Sequence, residues 1–286
     1  MNKPQIGFIG QGWIGKNYAD DFEERGYKIV RYALEKPYNK NKDKIKKCDI
    51  VFIAVPTPTT EKGFDHSIIE KAIPLVGKGK IAVIKSTVLP GVTEKIQKKF
   101  KNIIVCHSPE FLTEVTASHD ARHPDRNIVG LPVNNKKYKE AAKKILSVLP
   151  NSEYELVCSS LEAELIKYGG NCWFFVKVVF MNMLYDLSHT RGANYDVIKD
   201  GLASDPRIGR THLDPIHKSG RGAGGHCFIK DFKAFKESYL ENVGDEFGVG
   251  ALEAFENKNL QLLIDSNKDL DLLEGVYGPD YKNILK

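Results

Sequence analysis

A glycine-rich turn stands directly after the first apolar segment of the chain. Gln5–Ile9 is a short apolar stretch typical of a strand, and it runs into Gly-Gln-Gly-Trp-Ile-Gly at Gly10–Gly15. The pattern of Lys16–Arg25 predicts a helix, and Tyr27–Tyr32 predicts a second strand. A G-x-G-x-x-G turn between a strand and a helix is the arrangement that binds the pyrophosphate of a dinucleotide. The sequence therefore predicts a dinucleotide-binding unit here.

The residues around this turn have separate physical tasks. Gly10 makes the turn, Gly12 lets a pyrophosphate approach the backbone, and Gly15 lets the helix pack on the strand. An acidic residue usually follows the second strand and binds the adenosine ribose, and Glu35 is the nearest candidate. Glu35 either reaches the ribose or is a solvated loop charge, in which case that contact is missing. Basic residues near it leave NADP as an alternative to NAD.

Three further apolar segments, each typical of a strand, lead into polar loops. The strands are Asp49–Val55, Ile81–Ile84 and Ile103–Val105, followed by the loops Pro56–Thr59, Lys85–Thr87 and His107–Glu114. Short, almost continuously apolar strands are typical of a parallel sheet covered on both faces, and ligands bind at the carboxyl ends of such strands. Each polar residue alone also fits a helix cap or a turn, as Thr87 does. We predict an α/β fold with an N-terminal Rossmann-type parallel sheet, followed by a mostly helical domain.

The pattern becomes helical after about residue 160. A long helix is predicted over Leu161–His189, and a shorter one over Asp196–Leu202. Lys167 and Asn171 are four residues apart, so both project from one face of the long helix. A lysine beside an amide suits a proton-transfer site, and a lysine that reaches from a helix end to solvent is the alternative. Trp173–Leu184 is apolar but shorter than the roughly 20 residues of a membrane helix, so a buried helix is predicted.

A second glycine-rich stretch precedes a cysteine in the last third of the chain. Gly220–Gly225 contains four glycines, and Cys227 follows it, with Lys230 and Asp231 close behind. Glycines let a backbone approach a ligand, and a nearby lysine favours the thiolate, which is the nucleophilic form of cysteine. The alternative is a glycine-rich turn that carries a buried cysteine. A helix is predicted over Lys230–Leu240.

Length, charge and cysteine pattern exclude several classes of protein. The 286 residues suit one large or two moderate domains, and the net charge of +5 indicates a solvated surface rather than a nucleic-acid site. The five cysteines are widely spaced without a C-x-x-C pair, which argues against disulfides or a metal site and for a reducing, cytoplasmic compartment. No signal-peptide pattern is expected at the N-terminus, and no apolar run reaches the roughly 20 residues of a membrane helix, so no membrane partner is expected. The tail is predicted to be helical from Phe247 to about Ile264, and polar, weakly periodic sequence follows.

Eight motifs of the chain resemble those of one enzyme family. They are Gly10–Gly15, Val55–Thr59, Lys85–Val88, Ser108–Glu114, Pro124–Arg126, Lys167–Asn171, Asp205–Gly209 and Gly224–Asp231. In this order, over roughly residues 5–240, they are similar to the UDP-glucose/GDP-mannose dehydrogenase family of nucleotide-sugar dehydrogenases. The resemblance implies an NAD-binding domain over residues 1–155. It also implies a helical domain over residues 156–286, which carries the cysteine and forms a homodimer through its long helix.

The resemblance also implies a reaction and roles for individual residues. A nucleotide-sugar C6 alcohol would be oxidised to a carboxylate in two steps that reduce two NAD, and Cys227 would attack the intermediate aldehyde. The catalytic residues implied are Cys227, Lys167, Asn171, Asp231, Glu110 and Thr87. The cofactor-binding residues implied are Gly10, Gly12, Trp13, Ile14, Gly15, Glu35, Val55, Pro56, Thr57, Ser86, Thr87, Glu114 and Lys230. The substrate-binding residues implied are Glu110, Phe111, Leu112, Glu114, Lys167, Asn171, Arg207, Lys218, Gly220, Gly224 and Cys227.

Several features depart from the family pattern. About 45 residues follow the Lys230–Leu240 helix, too few for the second Rossmann-like domain with which family members grip the nucleotide. The segment Glu35–Cys48 is short, Ala223 stands where an aromatic residue is common, and His226 stands where a serine is usual. We therefore expect one of three situations. The enzyme acts on a smaller or differently held sugar, a partner chain completes the site, or the fold is kept without turnover.

Two other functions remain open at this point. A two-domain β-hydroxyacid dehydrogenase also joins a Rossmann domain to a helical domain with a lysine–asparagine pair, but it performs one hydride transfer and needs no thiol. Cys227 with its glycine loop, together with Glu110, argues against this class. A non-catalytic NAD-binding module is the third hypothesis. It is weakened because every residue type that the chemistry needs is present.

Overall fold

The computed structural model describes residues 3–285. The strands are β1 (Ile6–Ile9), β2 (Ile29–Tyr32), β3 (Ile50–Ile53), β4 (Thr59–Thr60), β5 (Gly63–Phe64), β6 (Ile81–Ile84), β7 (Ile104–His107), β8 (Arg126–Leu131), β9 (Tyr154–Ser159), β10 (Ile216–His217) and β11 (Gly220–Arg221). The α-helices are α1 (Trp13–Glu24), α2 (Lys42–Ile45), α3 (Ser67–Ala72), α4 (Val92–Lys99), α5 (Ala117–Arg122), α6 (Lys136–Leu146), α7 (Ser160–Thr190), α8 (Tyr195–Ala203), α9 (Gly225–Asn242), α10 (Glu246–Asp265) and α11 (Leu270–Tyr277). Short 3-10 helices cover Tyr38–Asn41, Ile73–Leu75 and Tyr281–Asn283.

The chain divides into two compact units. The first holds the chain up to Thr57 together with Asp65–Lys167. The second holds Pro58–Phe64 and the chain from Tyr168 onward. The long helix α7 therefore begins in the first unit and ends in the second.

The first unit is built on a seven-stranded sheet with the strand order β2-β1-β3-β6-β7-β8-β9. Neighbouring strands run parallel, except for the antiparallel pair of β7 and β8. The central strands β1, β3 and β6 are buried along their whole length, as their continuous apolar sequences predict. The predicted Rossmann-type α/β fold is confirmed, with one antiparallel pairing that the sequence does not predict.

Aromatic packing fixes the first helix against this sheet. Phe8 on β1, Phe52 on β3 and Phe22 on α1 form a cluster with ring centroids 5.2–5.4 Å apart. Such pairs contribute roughly 0.5–1.5 kcal/mol each beyond the burial of their area. The glycine turn follows β1 directly, so it lies at the carboxyl end of this strand, and the aromatic packing holds α1 beyond it.

The strands β8 and β9 are absent from the sequence prediction. In β9, the apolar residues Tyr154 (53% exposed) and Val157 (43% exposed) are exposed beside Glu155, because this strand forms the edge of the sheet. An edge strand lacks the continuous apolar pattern of the central strands, so its sequence does not indicate it clearly. Its register is nevertheless regular, with Ile128 of β8 opposite Leu156 of β9.

The second unit is mainly helical, and it corrects two predicted elements. Helix α9 begins at Gly225 rather than Lys230, so Cys227 lies inside its first turn. Glycine has low helix propensity, and the glycine-rich sequence therefore hides this helix start. Helix α11, beyond Ile264, is not predicted either. It is only eight residues long, and it packs through Leu273 and Val276 in a core shared with α9 and α10.

The segment Trp173–Leu184 is not the fully buried helix that its apolar composition predicts. Phe175 and Val179 are buried, whereas Trp173 is 64% exposed and Phe180 is 50% exposed. Apolar side chains of α7 point in all directions from this part of the helix, but only one side of the helix packs against other residues of the unit. Across residues 3–285 no helix has the length and apolar character needed to cross a membrane.

Candidate active site

The three glycines of the first turn differ in the space around them. A Cβ atom on Gly10, whose φ is +91°, would lie 2.0 Å from the carbonyl oxygen of Ala54, and a Cβ atom on Gly15 would lie 2.1 Å from that of Gly10. No atom lies within 4 Å of the position of a Cβ atom on Gly12. The outer glycines are therefore required by packing. Gly12 leaves open space at the N-terminus of α1, where free N–H groups and the helix dipole favour a phosphate.

The other predicted residues at the start of the cofactor site lie around this turn. Trp13 is 41% exposed, and Ile14 packs partly against the core of the first unit. Glu35 is exposed in the loop after β2, where its carbonyl oxygen accepts hydrogen bonds from the backbone. The guanidinium of Arg31 lies 2.7 Å from both Asp20 and Glu23. Because Arg31 already pairs with these two carboxylates, its guanidinium is less available to bind the additional phosphate of NADP.

Side-chain hydroxyls join the loops that follow β3 and β6. The Ser86 hydroxyl donates to the carbonyl of Val55 and accepts from the N–H of the same residue. The Thr57 hydroxyl donates to the carbonyl of Thr87 over 2.8 Å, and Pro56 is exposed between them. These hydroxyls therefore fix the edge of the sheet, and sequence reasoning did not anticipate this bracing role.

A buried ion pair lies at the end of β7. The Nζ atom of Lys167 is 2.8 Å from Oε1 of Glu110, and both side chains are at most 6% exposed. Oε2 of Glu110 accepts a hydrogen bond from the N–H of Leu112 over 2.7 Å. The ring of Phe111 lies 5.6 Å from the Lys167 ammonium. Within the first unit the structure thus brings together four of the predicted site residues, namely Lys167, Glu110, Phe111 and Leu112. Glu114 is exposed farther along the same loop.

A second buried lysine stands beside this pair. Lys85 is 3% exposed and donates to the Ser108 hydroxyl over 3.2 Å, with its ammonium 4.4 Å from the ring centroid of Tyr18. Burial lowers the pKa of Lys85 to about 7; the positive charge of Lys167 also lowers it, and Glu110 opposes both effects. The sequence pattern alone assigns no role to Lys85. The sequence feature that could have indicated Lys85 is its position directly after the apolar strand β6, at the carboxyl edge of the sheet where ligands bind.

A separate polar cluster lies in the second unit. The Asn171 amide donates to Oδ2 of Asp231 over 2.6 Å, and the ammonium of Lys230 pairs with the other oxygen of this carboxylate. Asp231 is 1% exposed. Cys227 is exposed in the first turn of α9, four residues before Asp231. The alternative of a buried cysteine in the glycine-rich turn is therefore wrong for Cys227.

The predicted substrate residues of the second unit lie on and around the glycine-rich loop. Gly220 and Gly224 are tightly enclosed, since a Cβ atom on either would lie 2.5 Å or less from a neighbouring oxygen. Lys218 is in an exposed turn with a φ of +55°. Arg207 is also exposed and pairs with Asp205 over 2.6 Å.

These residues form two groups that differ in chemistry. The first unit holds a buried lysine–glutamate pair, and the second holds an exposed thiol four residues before the buried carboxylate of Asp231. Within the described part of the chain no group of three or more histidine, cysteine or acidic side chains is placed to bind a metal. The arrangement provides a nucleophile, hydrogen-bond donors and buried carboxylates.

Comparison with known proteins agrees with this combination. The model of the NAD-binding domain of the UDP-glucose/GDP-mannose dehydrogenase family matches residues 32–149, and that of the central domain of the same family matches residues 161–259. The chain belongs to this family. Its first unit therefore contains an NAD-binding domain, which fits the open space at Gly12.

The matched UDP-glucose dehydrogenases are longer than this chain, so the chain covers only part of each of them. A UDP-glucose 6-dehydrogenase of Rickettsia bellii is 33% identical over 237 residues, which cover 79% of this chain and 51% of the relative. The chain spans about half the length of these curated relatives. The solved structure of a UDP-glucose dehydrogenase from Pyrobaculum islandicum is 25% identical with a TM-score of 0.76, covering 96% of this chain and 71% of that one.

A dehydrogenase of another class shares the fold. The structure of 3-hydroxyisobutyrate dehydrogenase from Mycobacterium tuberculosis has a TM-score of 0.70 at 11% identity. It covers 93% of this chain and 95% of its own length. At this identity the likeness shows the fold alone, so the choice between the two classes depends on the side chains.

Proposed function

We propose that the chain is an NAD-dependent dehydrogenase that oxidises the C6 alcohol of a nucleotide sugar to a carboxylate. The observation that carries the proposal is the exposed thiol of Cys227, in the first turn of a helix directly after a glycine-rich loop. A helix N-terminus favours the thiolate, and the loop leaves the thiol accessible. The UDP-glucose 6-dehydrogenases among the relatives support a sugar nucleotide as the substrate class.

The proposed chemistry has four steps on the sugar: two oxidations, the thiolate addition that stands between them, and a final hydrolysis. When bound, NAD accepts the hydride released at each oxidation. The alcohol first loses a hydride and a proton to become an aldehyde. The thiolate of Cys227 adds to the aldehyde carbon, and loss of a second hydride from this thiohemiacetal leaves a thioester. Water then breaks the carbon–sulfur bond, which releases the carboxylate and restores the thiol.

Each polar group has a proposed task in this sequence. Lys167 stabilises the negative charge that develops on the substrate oxygen, with Asn171 beside it as a donor. Asp231 positions water for the last step. Thr87 and Glu110 hold the hydrolytic water and move its proton. Glu114 stands between cofactor and substrate, while Arg207, Lys218, Gly220 and Gly224 bind the sugar nucleotide.

A single hydride transfer from a hydroxyacid to NAD is the second candidate function. The fold shared with 3-hydroxyisobutyrate dehydrogenase is compatible with it. In that reaction Lys167 and Asn171 would be required, and Cys227 would not. The cysteine therefore discriminates between the two functions.

The test is to incubate the chain with NAD and with UDP-glucose, GDP-mannose or related sugar nucleotides, and to count NADH formed per sugar consumed. We expect two NADH per sugar and a uronate product. Cys227→Ser should abolish acid formation, while Cys158→Ser, at a partly exposed cysteine of the first unit, should leave it unchanged. NADH formation from a β-hydroxyacid that is indifferent to Cys227→Ser would establish the second function. Clear NAD binding without turnover of either substrate class would contradict both.

We also propose that the chain forms a homodimer through one face of α7. The apolar residues Leu161, Leu165, Trp173, Phe180, Met183 and Leu187 are each at least 38% exposed. At 100° per residue they fall on one stripe of the helix, and a contiguous exposed apolar stripe indicates an interface. Phe180→Asp should convert the dimer to a monomer in sedimentation, whereas Val197→Asp, at an exposed residue of α8, should not. Location in the cytoplasm stays a prediction from the cysteine pattern.

A further inference from the structure

The glycine-rich loop before Cys227 is held by the end of α10 and the turn that follows it. Both polar groups of the Asn259 amide bond to the backbone of Ala223, at 2.7 and 3.0 Å. The buried ammonium of Lys268 donates to the carbonyl of Gly222 over 2.9 Å. The loop is therefore fixed by side chains that are distant from it in sequence.

Asp269 is the acidic residue among these contacts, and it bonds to the first residue of α9. Its Oδ2 atom accepts a hydrogen bond from the N–H of Gly225 over 2.7 Å. Gly225 is the first residue of α9 and Cys227 is the third. A Cβ atom on Gly224 would lie only 2.0 Å from the same oxygen, so a glycine is required for this close approach. A carboxylate thus stands at the N-terminus of the helix that carries the thiol in its first turn.

The effect of this carboxylate on the thiol is opposite to that of the helix. The free N–H groups at a helix N-terminus stabilise a thiolate, and a carboxylate that binds one of them adds a negative charge, which disfavours a second anion nearby. His226, Lys230 and Asp231 stand within four residues of Cys227 on α9, and Lys268 and Asp269 lie close to Gly224. Lys230 is paired with Asp231, which offsets its positive charge. Burial lowers the pKa of Lys268, and Asp269 opposes that shift.

We propose that Asp269 is a positioning residue that sets the ionisation of Cys227. Its carboxylate fixes Gly224 and Gly225 at the start of α9, and its charge keeps the resting thiol more protonated than the helix alone would. The catalytic meaning of this control rests on the proposed function of Cys227 as nucleophile. The ionisation itself is measurable without turnover.

The experiment measures the reactivity of Cys227 in the full chain. The rate of alkylation by iodoacetamide and the thiolate absorbance near 240 nm are followed from pH 5 to pH 10, and Cys227→Ser identifies the signal. Asp269→Asn keeps an oxygen that accepts the hydrogen bond of Gly225 but removes the charge. Asp271→Asn, at an exposed residue in the first turn of α11, removes the same charge two residues away and is the matched control.

We expect Asp269→Asn to lower the pKa of Cys227 and to speed its alkylation at pH 7 about two- to fivefold, the range for one charge at a helix terminus. Asp271→Asn should leave both unchanged. An unchanged or slower alkylation in a folded Asp269→Asn chain overturns the proposal. If circular dichroism shows that this variant is unfolded, Asp269→Ser, which retains a short acceptor, is measured against the same expectation. A shifted pKa in a chain that forms no NADH would support control by Asp269 while contradicting the proposed function.

Discussion

The buried pair of Lys167 and Glu110 allows a stability prediction that does not depend on the identity of the substrate. The two groups lie 2.8 Å apart and are almost completely shielded from solvent. Removing one member leaves the other as an uncompensated buried charge, which costs about 3–5 kcal/mol in proteins. In Lys167→Met, Glu110 keeps the hydrogen bond from Leu112 and the favourable charge of Lys85 nearby. We therefore expect the lower end of the range, about 3 kcal/mol.

This loss should be visible in thermal unfolding. For a unit of this size, about 3 kcal/mol corresponds to a fall in the unfolding midpoint of roughly 6–12 °C. Lys16→Met is the matched control, because Lys16 forms an exposed pair with Asp20 whose loss should cost less than about 1 kcal/mol. The assay is circular dichroism at pH 7 for both variants, with the parent chain measured alongside.

The double variant of Lys167→Met and Glu110→Gln tests the physical reason. With both charges removed, no buried ion is left unpaired, so the double variant should be more stable than the sum of the two single losses predicts, by about 1–3 kcal/mol. Two single variants within 1 °C of the parent, or a double variant with strictly additive losses, would refute the idea that the pair is energetically coupled.

The other predictions concern the glycine turn and the second buried lysine. Gly12→Ala should weaken NAD binding at least tenfold in a calorimetric titration and leave the unfolding midpoint unchanged, because its Cβ atom would enter open space that the pyrophosphate needs. Gly15→Ala should instead lower the midpoint by several degrees, because its Cβ atom would lie 2.1 Å from a backbone oxygen; equal midpoints for the two variants would contradict this assignment. The pKa of Lys85 is about 7 in the folded chain against the usual 10.5, so the unfolded chain binds more protons in this interval, and stability should rise with pH from about 7 to 10. Lys85→Met should remove that rise in thermal unfolding midpoints measured across this pH range, and an identical pH dependence in the variant would exclude Lys85 as its source.

The sequence predicted the central part of the fold because each central strand carries its own signal. The segments that became β1, β3 and β6 are almost purely apolar, and a sheet covered on both faces requires that pattern. The edge strand β9 has mixed polarity, and α9 begins inside a glycine-rich run. Both elements are stabilised by tertiary packing rather than by local preference, so local patterns could not define them.

Helical spacing predicts that Lys167 and Asn171 share a face of α7, but it does not predict the group with which each of them pairs. Spacing on a helix suggested that Lys167 and Asn171 act together, whereas in the structure Lys167 pairs with Glu110 and Asn171 with Asp231. Asp269 could not be found from the sequence, because its contact with Gly225 joins segments separated by a whole helical pair. The functional domains predicted at residues 1–155 and 156–286 remain a prediction, since compactness alone does not define function.

The fold by itself does not select the reaction, because a hydroxyacid dehydrogenase and a UDP-glucose dehydrogenase superpose on this chain with similar TM-scores of 0.70 and 0.76. A single hydride transfer needs a bound alcohol, a base and the cofactor. An oxidation that continues to the acid also needs a nucleophile that holds the aldehyde, together with a place for water. Cys227 is exposed for the first task, and Asp231 is a buried carboxylate one helical turn away that suits the second. The proposed two-step reaction therefore depends on side chains of α9, and Cys227→Ser is the substitution that separates the alternatives.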